Sequence, residues 1–156
     1  MKQEKNRQLT VCILLLILNL AFIWGNSLLP GEESSELSSG VVAWLMEMLD
    51  TAVPGGEFLV RKIAHFSEFA CLGLLLTWLF RLLGQSGIHS CTMPLLCGSL
   101  SALVDETIQV LTPDRGPSVI DVWIDTAGVT AGILVLLMVY RLIRRKNLKS
   151  NGGNEK

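Results

Sequence analysis

Four long apolar stretches occupy most of this 156-residue chain and limit what it can fold into. They run over residues 9–29, 63–83, 93–111 and 119–143. At 1.5 Å per residue, a helix of such a length crosses a hydrocarbon core of about 30 Å. Half of the residues are hydrophobic and only 17% are charged, which is typical of membrane proteins. We therefore expect an all-α integral membrane bundle of four transmembrane helices.

The third apolar stretch carries several polar residues. It contains Asp105, Glu106 and Gln109, together with two serines. A segment of this kind is also compatible with a buried or re-entrant helix that neighbouring helices shield from lipid. We predict a full crossing, because an even number of crossings brings both ends of the chain to the same side of the membrane.

The basic residues agree with that topology. Lys and Arg concentrate in the cytoplasmic segments of membrane proteins. Ten of them lie near the chain ends or between the second and third stretches, and only Arg61, Lys62 and Arg115 lie on the other side. We therefore predict a cytoplasmic tail at residues 1–8, a membrane domain at 9–143, and a basic, disordered cytoplasmic tail at 144–156.

The loop at residues 30–60 is the longest segment outside the apolar stretches. Within it, apolar residues recur at helical spacing from Val41 to Val53, which predicts an amphipathic helix. One interpretation is an interfacial helix or lid with Trp44 at the level of the lipid headgroups. The other is a helix that packs against the bundle.

Acidic residues inside the apolar stretches are the strongest indication of function. A carboxylate in hydrocarbon is unfavourable by kilocalories unless it is paired, protonated or in contact with water. Five acids lie within these stretches or at their edges, accompanied by other polar and basic residues. The acids are Glu68, Asp105, Glu106, Asp121 and Asp125, and their companions are Lys62, His65, Gln109 and Arg115.

The predicted topology places these residues at a common depth. Glu68, Asp105 and Asp125 each lie five or six residues from the outer end of their stretch, or about 8 to 9 Å below the boundary. Gly128 and Gly132 follow on nearly the same face of the fourth stretch, and small residues let helices approach closely. We therefore predict a single polar pocket that faces outward.

The same residues form a pattern with a known counterpart. It reads K-x-x-H-F-x-E from Lys62, D-E-x-x-Q from Asp105, P-x-R from Pro113 and D-x-x-x-D-x-x-G from Asp121. The order and spacing of these motifs resemble those of the VanZ-like family of small bacterial membrane proteins. The resemblance implies a place in the bacterial cell membrane and a role in resistance to lipid-tailed glycopeptide antibiotics of the teicoplanin type.

Our first functional hypothesis is that the pocket binds, or also modifies, an envelope lipid or a lipid-linked precursor at the outer leaflet. Arginine offers two parallel donors to a phosphate or carboxylate, and lysine offers a point charge. The candidate ligand-binding residues are Lys62, Gln109, Arg115 and Asp125. The candidates for catalysis by general acid–base chemistry are His65, Glu68, Asp105, Glu106 and Asp121. Whether the chain is an enzyme stays open at this point.

The excess of acids over basic residues in the predicted pocket is also compatible with a divalent cation. Carboxylate oxygens and imidazole nitrogens are its usual protein ligands. The candidate metal ligands are Asp105, Glu106, Asp121 and His65, although their spacing matches no strong metal motif.

Two further functions are compatible with the acids. They could relay protons or ions in a small transporter, but the predicted inner halves of the stretches contain no acid at 72–101 or 126–141. They could also form an ionic network that only fixes the bundle geometry. Nucleic acid is excluded as a partner, because the chain has no basic stripe with interleaved aromatic residues.

Overall fold

The structure is a computed structural model that describes residues 2–49, 56–116 and 118–152. Within these ranges the chain forms five helices and no strand, so the predicted all-α class is confirmed. The helices are α1 (Lys2–Leu28), α2 (Gly31–Leu49), α3 (Gly56–Leu82), α4 (His89–Leu111) and α5 (Val119–Gly152).

Three helices are long and apolar enough to cross a membrane. The segments concerned are Lys2–Leu28, Phe58–Leu82 and Val119–Lys146, which contain the first, second and fourth predicted crossings. By its length α4 could also cross, but its apolar sequence is interrupted by Asp105, Glu106 and Gln109. The crossing by α4 therefore stays a prediction.

Two helices extend further than the apolar pattern indicated. The second crossing is part of α3, which begins seven residues earlier, at Gly56. The last helix, α5, continues to Gly152 through most of the tail for which we predicted disorder. Its continuation contains Leu, Arg, Lys and Asn and no proline, so nothing in the covalent chemistry stops the helix there.

The helix in the loop at residues 30–60 begins earlier in the sequence than we predicted. It begins at Gly31, ten residues before Val41, and its last described residue is Leu49. Glu32 and Glu33 lie in its first turn, where negative charge interacts favourably with the helix dipole. Trp44 is mostly exposed. Residues 50–55, which include the end of the predicted helix, lie outside the described residues.

The bundle is organised around α3, which contacts each of the other four helices and packs most extensively on α5. The buried apolar core is formed by side chains of α1, α3, α4 and α5: Cys12, Leu16, Ile23, Phe69, Leu72, Leu75, Ala102, Val129 and Ile133. Many apolar side chains on α1 and α5 remain exposed, as expected for surfaces that face lipid.

Glycines make the contact between α3 and α5 unusually close. A Cβ on Gly128 would overlap the carbonyl oxygen of Phe66, and one on Gly132 would overlap that of Ala70. From the other helix, a Cβ on Gly73 would overlap the carbonyl oxygen of Val129. The predicted role of the G-x-x-x-G pair in close helix approach is therefore observed.

The connection between α4 and α5 packs against the end of α1 and the start of α2. Asp114 adopts a positive φ of 55°, a conformation that aspartate tolerates better than most residues. The backbone N–H of Gly31 donates a hydrogen bond to the Pro113 carbonyl at 3.1 Å. A Cβ on Gly31 would overlap the Asp114 carbonyl oxygen, so glycine permits this contact. The connection is thus held at one end of the bundle, beside the polar residues.

Candidate functional site

Asp105 is completely buried and lies at the centre of a polar cluster that also contains Ser27, His65 and Gln109. The Ser27 hydroxyl of α1 donates a hydrogen bond to Asp105 Oδ1 at 2.6 Å, and Gln109 Nε2 donates one to Oδ2 at 2.9 Å. His65 Nδ1 of α3 lies 4.0 Å from Oδ2, which is longer than a hydrogen bond. Residues of three helices therefore surround one carboxylate.

Asp125 is buried to the same degree but has no comparable partners. Its side chain is 1% exposed, and neither carboxylate oxygen has a hydrogen-bond partner among the described residues. Ligand atoms of His65, Asp105 and Asp125 all lie within 4.8 Å of one another. The structure thus brings together one imidazole and two carboxylates from α3, α4 and α5.

Glu68 contacts the end of α1. Asn26 Nδ2 donates a hydrogen bond to Glu68 Oε1 at 3.1 Å. The second oxygen, Oε2, is buried without a partner among the described residues. The side chain therefore has one polar anchor, and that anchor comes from α1.

The remaining two acids are engaged at the start of α5. Asp121 forms an ion pair with Lys62, whose ammonium group lies 5.0 Å from the centre of the Phe58 ring. Glu106 Oε1 accepts a hydrogen bond from the backbone N–H of Ser118. Neither acid belongs to the group formed by His65, Asp105 and Asp125, so the structure gathers a different set of possible metal ligands from the one that we predicted.

Arg115 lies in the α4–α5 connection and binds the end of α1. Its Nε donates to the Leu29 carbonyl at 3.0 Å, and its Nη2 donates to the Asn26 carbonyl at 2.6 Å. Carbonyls at the end of a helix lack partners within the helix, and basic side chains often satisfy them. Burial, and after it the charge of Arg61, lowers the pKa of Arg115. Arg115 remains a cation at neutral pH, because guanidinium groups are not deprotonated in proteins.

A cavity of about 300 Å³ opens beside these residues. It lies between the start of α3, the end of α4, the α4–α5 connection and the start of α5. Six of the nine predicted site residues line it, namely Lys62, His65, Gln109, Arg115, Asp121 and Asp125. The other three, Glu68, Asp105 and Glu106, are not among its lining residues.

Sequence reasoning missed several residues that complete the site. Asn26 and Ser27 at the end of α1 provide hydrogen bonds to Glu68 and Asp105. Thr112 adds a hydrogen bond from its hydroxyl to the Ser27 carbonyl at 3.0 Å. The available signal was a pair of polar residues at the predicted outer end of the first apolar stretch, the same end at which the acids were expected.

Sequence comparison agrees with the motif pattern. The family model described as VanZ/LLP1 matches residues 11–142, which is most of the chain and includes every residue of the candidate site. Comparisons with curated proteins and with solved structures find no match. The match and the three apolar helices together identify a multi-pass membrane protein, and the chain belongs to the VanZ/LLP1 family.

Proposed function

We propose that the chain binds the phosphate-bearing headgroup of an envelope lipid or of a lipid-linked precursor in the cavity beside α3. The observation that carries this proposal is the arrangement of cations there. Arg61, Lys62 and Arg115 all line a cavity of about 300 Å³. Guanidinium and ammonium groups are the side chains that bind phosphate oxygens in proteins.

These cations are not neutralised to the same extent. Lys62 is paired with Asp121, whereas Arg61 and Arg115 have no ion-pair partner among the side chains that the structure describes. Arg61 is close enough to Arg115 for its charge to lower the pKa of Arg115. Two like charges at one cavity repel each other, so an anion bound between them would relieve the repulsion.

The walls of the cavity suit a molecule with an apolar tail. Phe58, Ile120 and Ile124 line it together with the charged residues. The Phe58 and Ile120 side chains are 61% and 68% exposed, so they offer an apolar surface next to the charges. A volume of about 300 Å³ is at the lower end for ligand sites, which favours entry of a headgroup while the tail stays in lipid.

The proposal includes an orientation in the membrane. With four crossings and both termini in the cytoplasm, the cavity faces the outer leaflet. Exposed leucines on α4, among them Leu96, Leu100 and Leu103, support α4 as the third of the four crossings, because they form a surface that lipid would cover. At the outer leaflet the chain would meet the envelope lipids and lipid-linked precursors that the proposal names as ligands.

Binding is proposed ahead of catalysis because of the distance between the candidate acid–base residues. His65 Nδ1 and Asp105 Oδ2 are 4.0 Å apart, so Asp105 does not form the hydrogen bond by which a carboxylate orients an imidazole as general base. A conduction pathway is less well supported. The buried core beyond the polar cluster is formed by side chains such as Leu72, Leu75 and Ile133, which offer no relay group for an ion.

The proposal is tested by lipid binding to the full chain in detergent, with bound lipid counted by native mass spectrometry. The probes are phosphatidylglycerol, a polyprenyl phosphate and an uncharged diacylglycerol. We expect retention of the two phosphate lipids and little retention of diacylglycerol. Arg61→Ala should weaken phosphate-lipid binding about 10-fold or more, since a charge-assisted hydrogen bond contributes about 1.5 to 3 kcal/mol.

Arg144→Ala is the matched control. Arg144 is an exposed arginine near the opposite end of α5, far along the chain from the cavity, and its loss should leave binding unchanged. Equal retention of charged and uncharged lipids, or equal effects of the two substitutions, would contradict the proposal. In cells, the wild-type chain should raise the teicoplanin concentration needed to stop growth, and Arg61→Ala should not.

A further inference from the structure

The buried carboxylate of Asp125 requires compensation that the described residues do not provide. Its two oxygens have no hydrogen-bond partner, and its side chain is 1% exposed. An isolated carboxylate in such surroundings is strongly unfavourable. Asp105 lies beside it with a second carboxylate, which adds repulsion. A cation at this point would resolve both problems.

We propose that His65, Asp105 and Asp125 bind a divalent transition-metal ion such as Zn²⁺ or Mn²⁺. Three helices each supply one ligand, and the ligand atoms lie within 4.8 Å of one another. The mixture of one imidazole and two carboxylates suits these ions better than Mg²⁺ or Ca²⁺, which prefer oxygen ligands only. A divalent ion would balance the two carboxylate charges while leaving His65 neutral, the form in which it binds metal.

Metal binding requires the three side chains to move closer together. Two ligand atoms that each lie about 2.1 Å from a tetrahedral zinc ion are about 3.4 Å apart. The observed limit of 4.8 Å therefore needs the widest pair to approach by about 1.4 Å, a distance that rotation of the side chains can supply. The movement breaks no hydrogen bond of Asp125, because its two oxygens have no partner among the described residues. His65 lies 4.0 Å from Asp105, which is longer than a hydrogen bond.

Asp105 is already oriented as a metal ligand would be. Its two oxygens accept hydrogen bonds from Ser27 and Gln109 at 2.6 and 2.9 Å. Hydrogen bonds of this kind commonly fix a ligating carboxylate from outside the coordination sphere. Because His65 and Asp125 also line the cavity, an ion held by them would have its free coordination positions on the cavity side.

This inference goes beyond the proposed function, since metal binding can be present whether or not a phosphate headgroup enters the cavity. The test uses the full chain in detergent, treated with a chelator and then titrated with Zn²⁺ or Mn²⁺ alone. Binding is measured by calorimetry and by elemental analysis after gel filtration. We expect about one ion per chain and a higher melting temperature in its presence.

Two substitutions should each weaken metal binding, and each has a matched control. Asp125→Asn and His65→Gln should each weaken metal binding at least 10-fold and remove the metal-dependent rise in melting temperature. The controls are Asp114→Asn, at an exposed aspartate of the α4–α5 connection, and His89→Gln, at the only other histidine of the chain. Both controls should bind the ion like the wild type.

Asp125→Asn keeps the test informative if His65→Gln fails to fold. Asparagine retains the shape of the side chain and removes a buried charge, so this variant should fold without metal at least as well as the wild type. Absence of Zn²⁺ and Mn²⁺ binding to the wild type would overturn the inference and leave protonation as the way in which Asp125 is accommodated. Undiminished binding in both Asp125→Asn and His65→Gln would overturn it as well.

Discussion

Asp105 depends on a partner that is distant in the sequence. Ser27 is fully buried and donates its hydroxyl to Asp105 Oδ1 at 2.6 Å across the contact between α1 and α4. Gln109 satisfies the second oxygen from within α4. If Ser27 loses its hydroxyl, one oxygen of a buried carboxylate loses the only hydrogen bond that the described residues give it.

We therefore expect Ser27→Ala to destabilise the chain by about 1 to 2 kcal/mol, the size of an interhelical hydrogen bond in model membrane peptides. The measurement is the free energy of unfolding in detergent. Ser67→Ala is the control, because Ser67 is exposed and its hydroxyl bonds only to backbone carbonyls of its own helix. An equal change in the two variants would show that the contact with Asp105 contributes nothing.

Individual residues were predictable from the sequence to different degrees. Acids inside apolar stretches are costly in lipid, so Asp105 and Asp125 stand out without any structure. The residues that form hydrogen bonds to the acids do not stand out in the same way. Asn26 and Ser27 are ordinary polar residues at a helix end, and their contact with Glu68 and Asp105 depends on how α1 packs in the bundle. Their importance therefore requires the tertiary structure.

Among the helices, the contact between α3 and α5 determines the geometry of the site. Lys62 and His65 lie on α3, and Asp121 and Asp125 lie on α5. The approach of the two helices is limited by backbone atoms rather than by side chains, because Gly132 leaves room only for the Ala70 carbonyl. A larger residue here would separate the helices and with them the polar groups.

Gly132→Ala should therefore lower stability by about 1 to 3 kcal/mol, as overpacking commonly does. Gly25→Ala is the matched control within α1, since a Cβ there would meet nothing within 4 Å. That change should be neutral or stabilising by up to about 1 kcal/mol, because alanine favours a helix over glycine. Thermal unfolding of the two variants in detergent distinguishes the cases. Equal stabilisation by both would show that the helices do not meet so closely.

At the scale of the whole molecule, the proposed topology makes a prediction about the α3–α4 connection. Ser86 is exposed there, and our orientation places it in the cytoplasm. In a variant without its natural cysteines, Ser86→Cys should react with a membrane-impermeant maleimide only after the cells are permeabilised. Cys91 is a weaker probe, because it is half-buried against the core.

Glu36→Cys provides the opposite control. Glu36 is exposed on α2, which the same topology places outside, so this cysteine should react in intact cells. Labelling of Ser86→Cys in intact cells with protection of Glu36→Cys would reverse the orientation. Labelling of both from outside would mean that α3 does not separate the two positions across the membrane.

The sequence by itself determined the class of this protein. Long apolar stretches in lipid must satisfy their backbone hydrogen bonds internally, so they become helices whatever their neighbours are. The order and spacing of the motifs from Lys62 to Gly128 also determined the family, which the match over residues 11–142 confirms. These properties are local, and a linear sequence carries them directly.

Only the tertiary structure decided how the polar residues are paired. Asp121 and Asp125 are one helical turn apart, yet the first pairs with Lys62 while the second lies with His65 and Asp105. The rotation of each helix about its axis determines which residues come into contact. That rotation is set by side chains and glycines on neighbouring helices. Because it depends on contacts between segments far apart in the chain, spacing alone could predict a common pocket but not its partners.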